Sequence, residues 1–282
     1  MVKVIKSGFF TTVQDLGRKG YQQYGVPYSG VMDNYSALMA NALLNNNESD
    51  ALLEITMSGP SLQFTHDTFI CITGAHINPK LNDSVISQNH IVKVVDGDTL
   101  SFGKLVLGFR AYLAISGGFQ TEIIMNSRSM YNTITSQARI EKGDELQTER
   151  PSIIIEQTHS AIKVNTNHFT SKTIEVFKGP EFEMLSAKQK NLLFSIDFTI
   201  SKNNNRMAYQ LDDIIENNLK PIITSLVLPG TIQLTPSGNL IILMRDCQTT
   251  GGYPRVLQLK ESSINCLAQK FTGNSIRLVL VE

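Results

Sequence analysis

The 282-residue chain has little of what most readily identifies an enzyme class. It has three cysteines, Cys71, Cys247 and Cys266, odd in number, far apart and without a CxxC pair, which argues against a disulfide framework or a zinc ribbon. No two of its five histidines stand at i, i+4, and there is no HExxH, so no metal site is expected. His76, at the end of a strand, is the one histidine to watch as an acid or base, with a surface position as its plainer reading. A GxSxG nucleophile elbow and a GxxxxGK[ST] phosphate loop are both missing. No Met-Lys-Met tripeptide occurs, so no covalent biotin is expected. Lys plus Arg equal Asp plus Glu at 25 each, and a net charge of zero gives no footprint for nucleic acid or an anionic membrane. No apolar run approaches the roughly 18 residues of a membrane span. The start, MVKVIKSG, is too short and too charged for a signal peptide, so a cytoplasmic location is expected.

What the chain does have is apolar material: 41% hydrophobic against 18% charged residues, enough for a sizeable core. Val2 to Ile5 alternates as a strand does. Residues 34–45 show helical spacing, with Asp33 placed to cap the helix. From Ala51 onward, short β-rich runs are cut by Gly, Asp, Asn and Pro, which predicts an all-β barrel or sandwich. Asp96-Gly97 in VDGDTLSFG signals a hairpin, and Lys142-Gly143-Asp144 repeats that logic. Residues 148–172 are polar apart from a strand IIIE at 153–156, and divide the chain into halves at 1–155 and 156–282. In the second half, Ser186 can cap a helix AKQKNLLF. FTISKNNNRMAYQLDD reads as a hairpin, residues 225–259 as two or three strands, and Ser263 as the cap of a last helix. Cys71 reads as a small buried hydrophobe.

Three polar concentrations carry the candidate chemistry. TTVQDLGRKGYQQYGVPYSGVMD, Thr11 to Asp33, is too polar and glycine-rich for an ordinary core strand. It reads either as a shaped binding loop or as a tight surface turn with an internal Asp15–Arg18 ion pair. RDCQTTGGYPR, Arg245 to Arg255, offers Asp246, Gln248 and Thr249 with the amides of Gly251 and Gly252, either for a small amide or carboxylate or simply as a hairpin. NSRSMYN places Arg128 beside hydroxyls, to bind an anion or to pin a loop. Arg206 poses the same choice.

Taken together and in order, TTVQDLGRKGYQQYGVPYSGVMD, LEITMSGPSLQF, ITGA, RAYLAISGGF, SRSMY, RMAYQL, QTTGGYP and LAQKFTG resemble the allophanate hydrolase subunit 2 family across nearly the whole chain. Members include KipA-like proteins, the C subunit of the bacterial 5-oxoprolinase and part of the carboxyltransferase region of urea carboxylases. The resemblance implies a mainly β fold of two cyclophilin-like β-barrel halves with a few short helices. It implies KipI-like and LamB-like partner subunits, and an ATP-dependent opening of 5-oxo-L-proline to L-glutamate. ATP would be used by the complex, with no metal or covalent biotin on this chain. Two other family roles stay open: half of a biotin-dependent, urea-type carboxyltransferase, and a non-enzymatic antagonist of a KipI-type histidine kinase inhibitor. Carried over residue by residue, the substrate-binding candidates are Gln14, Arg18, Ser29, Asp33, Arg128, Tyr131, Arg206, Gln248, Thr249, Gly251, Gly252 and Tyr253. The catalytic candidates are Asp15, Arg18, Asp246 and Gln248, and Arg18, Arg128 and Gln248 are expected to border one cavity. Departures from the family pattern are Tyr28, Asn205, Ala208, Arg255 and Ser263. Asn205 stands where aspartate is usual and weakens any argument for a carboxylate from that loop.

Overall fold

The computed structural model describes residues 1–149 and 164–281. The expected strand at 153–156, His159 and the expected division between 155 and 156 lie outside the described residues. The chain separates into two compact units: Met1–Arg18 with Ser29–Phe169, and Lys19–Tyr28 with Thr170–Glu282.

The first unit is built from β1 (Val2–Lys6), β2 (Phe10–Gln14), α1 (Asn34–Leu43), β3 (Leu52–Thr56), β4 (Ser61–Phe64), β5 (Thr68–His76), β6 (Pro79–Leu81), β7 (Ser84–Val85), β8 (Ile91–Val94), β9 (Thr99–Phe102), β10 (Leu107–Ile115) and β11 (Glu145–Leu146). These form a six-stranded sheet, β11-β1-β4-β9-β6-β7, and a five-stranded sheet, β2-β3-β10-β5-β8. Strand alternation decides what fills the space between them. Val2, Val4, Leu62, Phe64 and Leu100 from one sheet join Val13, Leu53, Ile55, Ile70, Ile72 and Leu113 from the other in one core. The opposite face of the five-stranded sheet is also covered. Leu52, Cys71, Tyr112 and Ala114 pack there with Ala37, Ala40 and Leu44 of the α1 region. Two covered faces explain why β3 is buried at all five positions and why a charged residue there, Glu54, has no exit to water. Asp33 caps α1 as expected, accepting from the Ser36 amide. A four-residue helix, α2 (Asn167–Thr170), stands where the chain passes from the first unit to the second.

Two turn signals resolve differently. Asp96-Gly97 does not close a hairpin: β8 pairs with β5, whereas β9 pairs with β4 and β6 in the other sheet. The turn is a corner between sheets, because Val94 and Leu100 both serve the shared core. Around Lys142-Gly143, Asp144 closes a turn on Glu141, but the strand that follows, β11, pairs with β1. TTVQ, at the start of the first polar block, is strand rather than loop: Thr11 to Gln14 lie in β2, buried against β3.

The second unit is a closed barrel, in the order β12-β19-β16-β17-β14-β13-β20. It contains β12 (Thr173–Lys178), β13 (Phe198–Asn204), β14 (Ala208–Ile214), β16 (Thr231–Leu234), β17 (Asn239–Leu243), β19 (Arg255–Leu259) and β20 (Ser275–Leu280). The parallel β12–β20 pair closes it, and closure removes unpaired sheet edges. Ile174, Phe198, Ile200, Tyr209, Leu211, Ile242 and Leu278 are among its buried residues. A separate ribbon pairs β15 (Ser225–Leu226) with β18 (Thr250–Gly251). Residues 225–259 therefore hold five strands rather than two or three. The Asn203–Asn205 hairpin forms as expected between β13 and β14. Ser186 caps α3 (Ala187–Ser195) in a capping box with Gln189. Ser263 does not cap the last helix. That helix, α4 (Glu261–Ala268), starts after Lys260, and Ser263 lies inside it, its hydroxyl accepting from the Glu175 amide of β12.

Candidate functional site

In the first unit, the first and middle polar blocks meet at one carboxylate. Asp15 Oδ1 accepts from the Gly17 amide (2.8 Å), Ser127 Oγ (2.7 Å) and Ser129 Oγ (2.7 Å), and Oδ2 accepts from the Arg128 amide (2.6 Å). The neighbouring strand residues add to this clamp. Met130 N donates to Val13 O, and Gln14 Nε2 donates to Met130 O at 3.1 Å and to Thr12 Oγ1 at 3.0 Å. Arg18 is wholly buried, with Nη2 on Ser129 O at 2.5 Å. The surface-turn reading therefore fails for Thr11–Arg18, whereas Lys19–Gly25 of the same stretch does form a largely exposed turn. The 29–31 segment joins the same cluster, because Val31 N donates to Asp15 O at 2.9 Å. Gly30, at φ +82°, runs so close that a Cβ there would lie 2.8 Å from Gly17 N. Ser29 precedes it at φ +56°, buried.

Arg128 lines a polar cleft of about 360 Å³ together with Gln120, Glu122, Met130 and Ser136. Its guanidinium donates to Gln120 Oε1 (2.5 Å) and to Thr121 O. On the same cleft, the amide and hydroxyl of Ser136 hold the Glu122 carboxyl below its ordinary range. Tyr131 is half-buried and anchored by its backbone, its amide donating to Thr135 Oγ1 at 2.9 Å.

Asp33 belongs to a second buried network, under α1. Its Oδ2 accepts from Ser36 Oγ at 2.6 Å and lies 2.7 Å from His168 Nε2. The Asp33 amide donates to Tyr112 Oη (2.9 Å), which in turn donates to Glu54 Oε2 (3.0 Å). Burial first, then the Glu54 and Asp33 carboxylates, push the Tyr112 phenol well above its usual range, so it stays protonated and donating. Arg110 Nε lies 3.7 Å from Glu54 Oε1. Glu54, Arg110, Tyr112 and His168 were not among the sequence candidates. The available signal was charge inside apolar strands, LEIT and RAYLAI. His168 gave none, since its acid lies 135 positions away.

In the second unit, Arg206 and Asp246 are partners. Nε donates to Oδ2 at 2.8 Å and Nη2 to Oδ1 at 3.0 Å, a two-point geometry specific to guanidinium and carboxylate. The Asp246 amide donates to Arg206 O, tying the hairpin turn to the strand end. Asn205 Oδ1 accepts from the Met207 and Ala208 amides, a task that an amide oxygen performs as well as a carboxylate. Gln248 and Thr249 are half-buried, Gly251 pairs with Ser225 in the ribbon, Gly252 O accepts from Ile222, and Tyr253 is exposed. The block is not a hairpin, because Thr250–Gly251 pairs with Ser225–Leu226. Arg255 is matched by Glu181 at 2.9 and 2.8 Å, which holds the Glu181 carboxyl below its ordinary range. Burial pushes the Cys71 and Cys247 thiols up to about 12, so neither is a ready nucleophile.

Residues 24–280 match the family described as carboxyltransferase domain, subdomain A and B. The chain belongs to that family. It is 30% identical to the C subunit of 5-oxoprolinase from Escherichia coli, over 99% of this chain and 91% of that protein. The same subunit from Haemophilus influenzae is 28% identical over 100% and 92%. The urea amidolyase of Lachancea kluyveri is 44% identical, over 46% of this chain and 7% of that one. Among solved structures, Kluyveromyces lactis urea carboxylase superposes with TM-score 0.88 at 29% identity, over all of this chain and 27% of that one.

Proposed function

We propose that the chain is the C subunit of a bacterial ATP-dependent 5-oxoprolinase, acting in the cytoplasm with KipI-like and LamB-like subunits to convert 5-oxo-L-proline to L-glutamate. The supporting observation is sequence similarity along nearly the whole of two proteins of that name. The curated urea amidolyases align in sequence with less than half of this chain, although the urea carboxylase fold superposes on all of it. A lactam is a stable amide, and ATP use makes sense if the carbonyl oxygen is phosphorylated and so becomes a leaving group. The chain's own contribution is to hold the lactam among oriented donors. Within the first unit, Arg18 and Arg128 are assigned to carboxylate or phosphoryl groups; within the second, Gln248 and Thr249 are assigned to an amide, with Gly251 and Gly252 beside them. Asp15 and Asp246, whose oxygens are taken by neighbouring donors, act by positioning.

The test is co-purification with both partners, followed by a glutamate-release assay. Glutamate formation that requires ATP and all three subunits is the expected result. Inactivity of the complete trio rejects the proposal, and carboxyl transfer from free carboxybiotin to urea would move the chain to the urea-type branch.

A further inference from the structure

Three successive backbone amides at the end of the first polar block are each gripped by a different part of the first unit. Val31 N donates to Asp15 O (2.9 Å), Met32 N to Glu54 Oε2 (2.7 Å) and Asp33 N to Tyr112 Oη (2.9 Å). The last two grips belong to a cluster of charge held away from water: Glu54, Asp33 and Arg110 are all buried. A buried carboxylate is costly unless a positive group matches it. Arg110 matches one of the two, with Nε 3.7 Å from Glu54 Oε1. Tyr112, bonded to both acidic residues, lies in the field of both carboxylates and of Arg110. Two carboxylates against one guanidinium leave this group one positive charge short. His168 is the residue placed to supply it. It is buried in the first unit, its Nε2 2.7 Å from Asp33 Oδ2. Distance does not tell an imidazolium from a neutral ring that donates the same hydrogen bond, whereas the charge balance does.

Among the described residues, the titratable and charged groups around the pair are Tyr35 on α1, Glu54 on β3, His76 on β5, and Arg110 and Tyr112 on β10. The Tyr35 ring lies 4.9 Å from that of His168, and His76 meets only the far neighbour Phe169, at 5.8 Å. Arg110 already faces Glu54.

We propose that His168 is a positioning residue that carries a proton at neutral pH, and that this charge, acting through Asp33, makes the grip on residues 32 and 33 a pH-sensitive clamp. When the ring gives up its proton, the cluster holds an unmatched negative charge and the Asp33–Tyr112–Glu54 chain loosens. Asp33 also loses its hold on the Ser36 amide at the start of α1. Val31, bonded to Asp15 O, lies outside that chain. The folded state binds the proton more tightly than the unfolded chain does. The stabilisation is therefore complete below about 6.5, the ordinary histidine value, and is lost as pH rises through the folded-state titration. The inference goes beyond the 5-oxoprolinase reading and does not depend on it.

The test uses the isolated full chain. NMR of the histidine rings is expected to show both His168 ring nitrogens protonated at about pH 7, with one proton lost only at higher pH. Between about pH 6 and 9, protection of the Met32, Asp33 and Ser36 amides against hydrogen exchange should fall about 10-fold, with Val31 less affected and the barrel amides unchanged. His168→Gln, which keeps a donor without the charge, should show the lower protection already at pH 6 and no further fall to pH 9. A neutral His168 ring at pH 7, or a proton on the Asp33 carboxyl in its place, would overturn the proposal. So would wild-type protection in the glutamine variant at pH 6, or a loss spread evenly over the barrel. If the variant does not fold, the wild-type ring titration decides by itself.

Discussion

The two units hold their polar loops with an aspartate each, by different means. In the first, Asp15 gathers two hydroxyls and two backbone amides onto a single carboxylate, joining the first block to the Ser127–Ser129 segment. In the second, Asp246 meets the guanidinium of Arg206 point for point, and both side chains are largely buried. The first arrangement distributes one charge over several neutral donors, whereas the second neutralises charge with charge. Removing one member of a buried ion pair strands the other, and removing a hub orphans several weaker donors.

Asp246→Ala should therefore have the largest effect, about 3 kcal/mol of lost stability, because it leaves a buried guanidinium without its carboxylate. Urea denaturation measures it. The double variant Arg206→Leu with Asp246→Leu should recover much of the loss, and failure to recover would mean that the pair does more than neutralise itself. Asp15→Asn is expected to cost about 2 kcal/mol, since the amide nitrogen must face the Arg128 N–H that now points at Oδ2. Faster hydrogen exchange at residues 127–130, with the barrel amides unchanged, would locate the damage. A loss equal to that of Asp246→Ala would erase the distinction between hub and pair.

The Arg255–Glu181 contact sharpens the comparison by pH. Because the Glu181 carboxyl is held below its ordinary range, its stabilisation is complete above the unfolded value of about 4.3 and fades as pH falls through the lower folded value. The stability difference between the wild type and Glu181→Gln should be flat from about pH 5 to 7 and shrink below about pH 4, measured by denaturation at each pH. The smallest effect belongs to Asn205→Asp, expected within about 0.5 kcal/mol of wild type, because either oxygen serves the Met207 and Ala208 amides. A clear gain in stability or activity would show that the departure at 205 matters.

Local chemistry was legible where it was complete within a few residues. Asp33 at its helix start, the Ser186 capping box and the Asn203–Asn205 hairpin all followed from short-range hydrogen bonding. Ser263 misled because a serine inside a helix can serve a strand 88 residues away as readily as it can cap. Asp96-Gly97 misled because a tight turn fixes chain direction, not which sheet receives the next strand. Apart from the Gly17 amide, the partners of the Asp15 carboxylate, and the acids paired with Arg206 and Arg255, were invisible for the same reason, lying 40 to 114 positions along the chain.

By itself, the sequence determined that this chain is mainly β, where several of its turns and helix starts fall, and which family its motifs resemble, because periodicity and capping act over single turns. Only the tertiary structure decided that Asp15 is a hub, that Arg206 has a partner and that Glu54, Tyr112, Asp33 and His168 share one buried network. Those outcomes depend on which distant strands lie side by side, and burial, by excluding water, obliges the polar groups that meet there to satisfy one another.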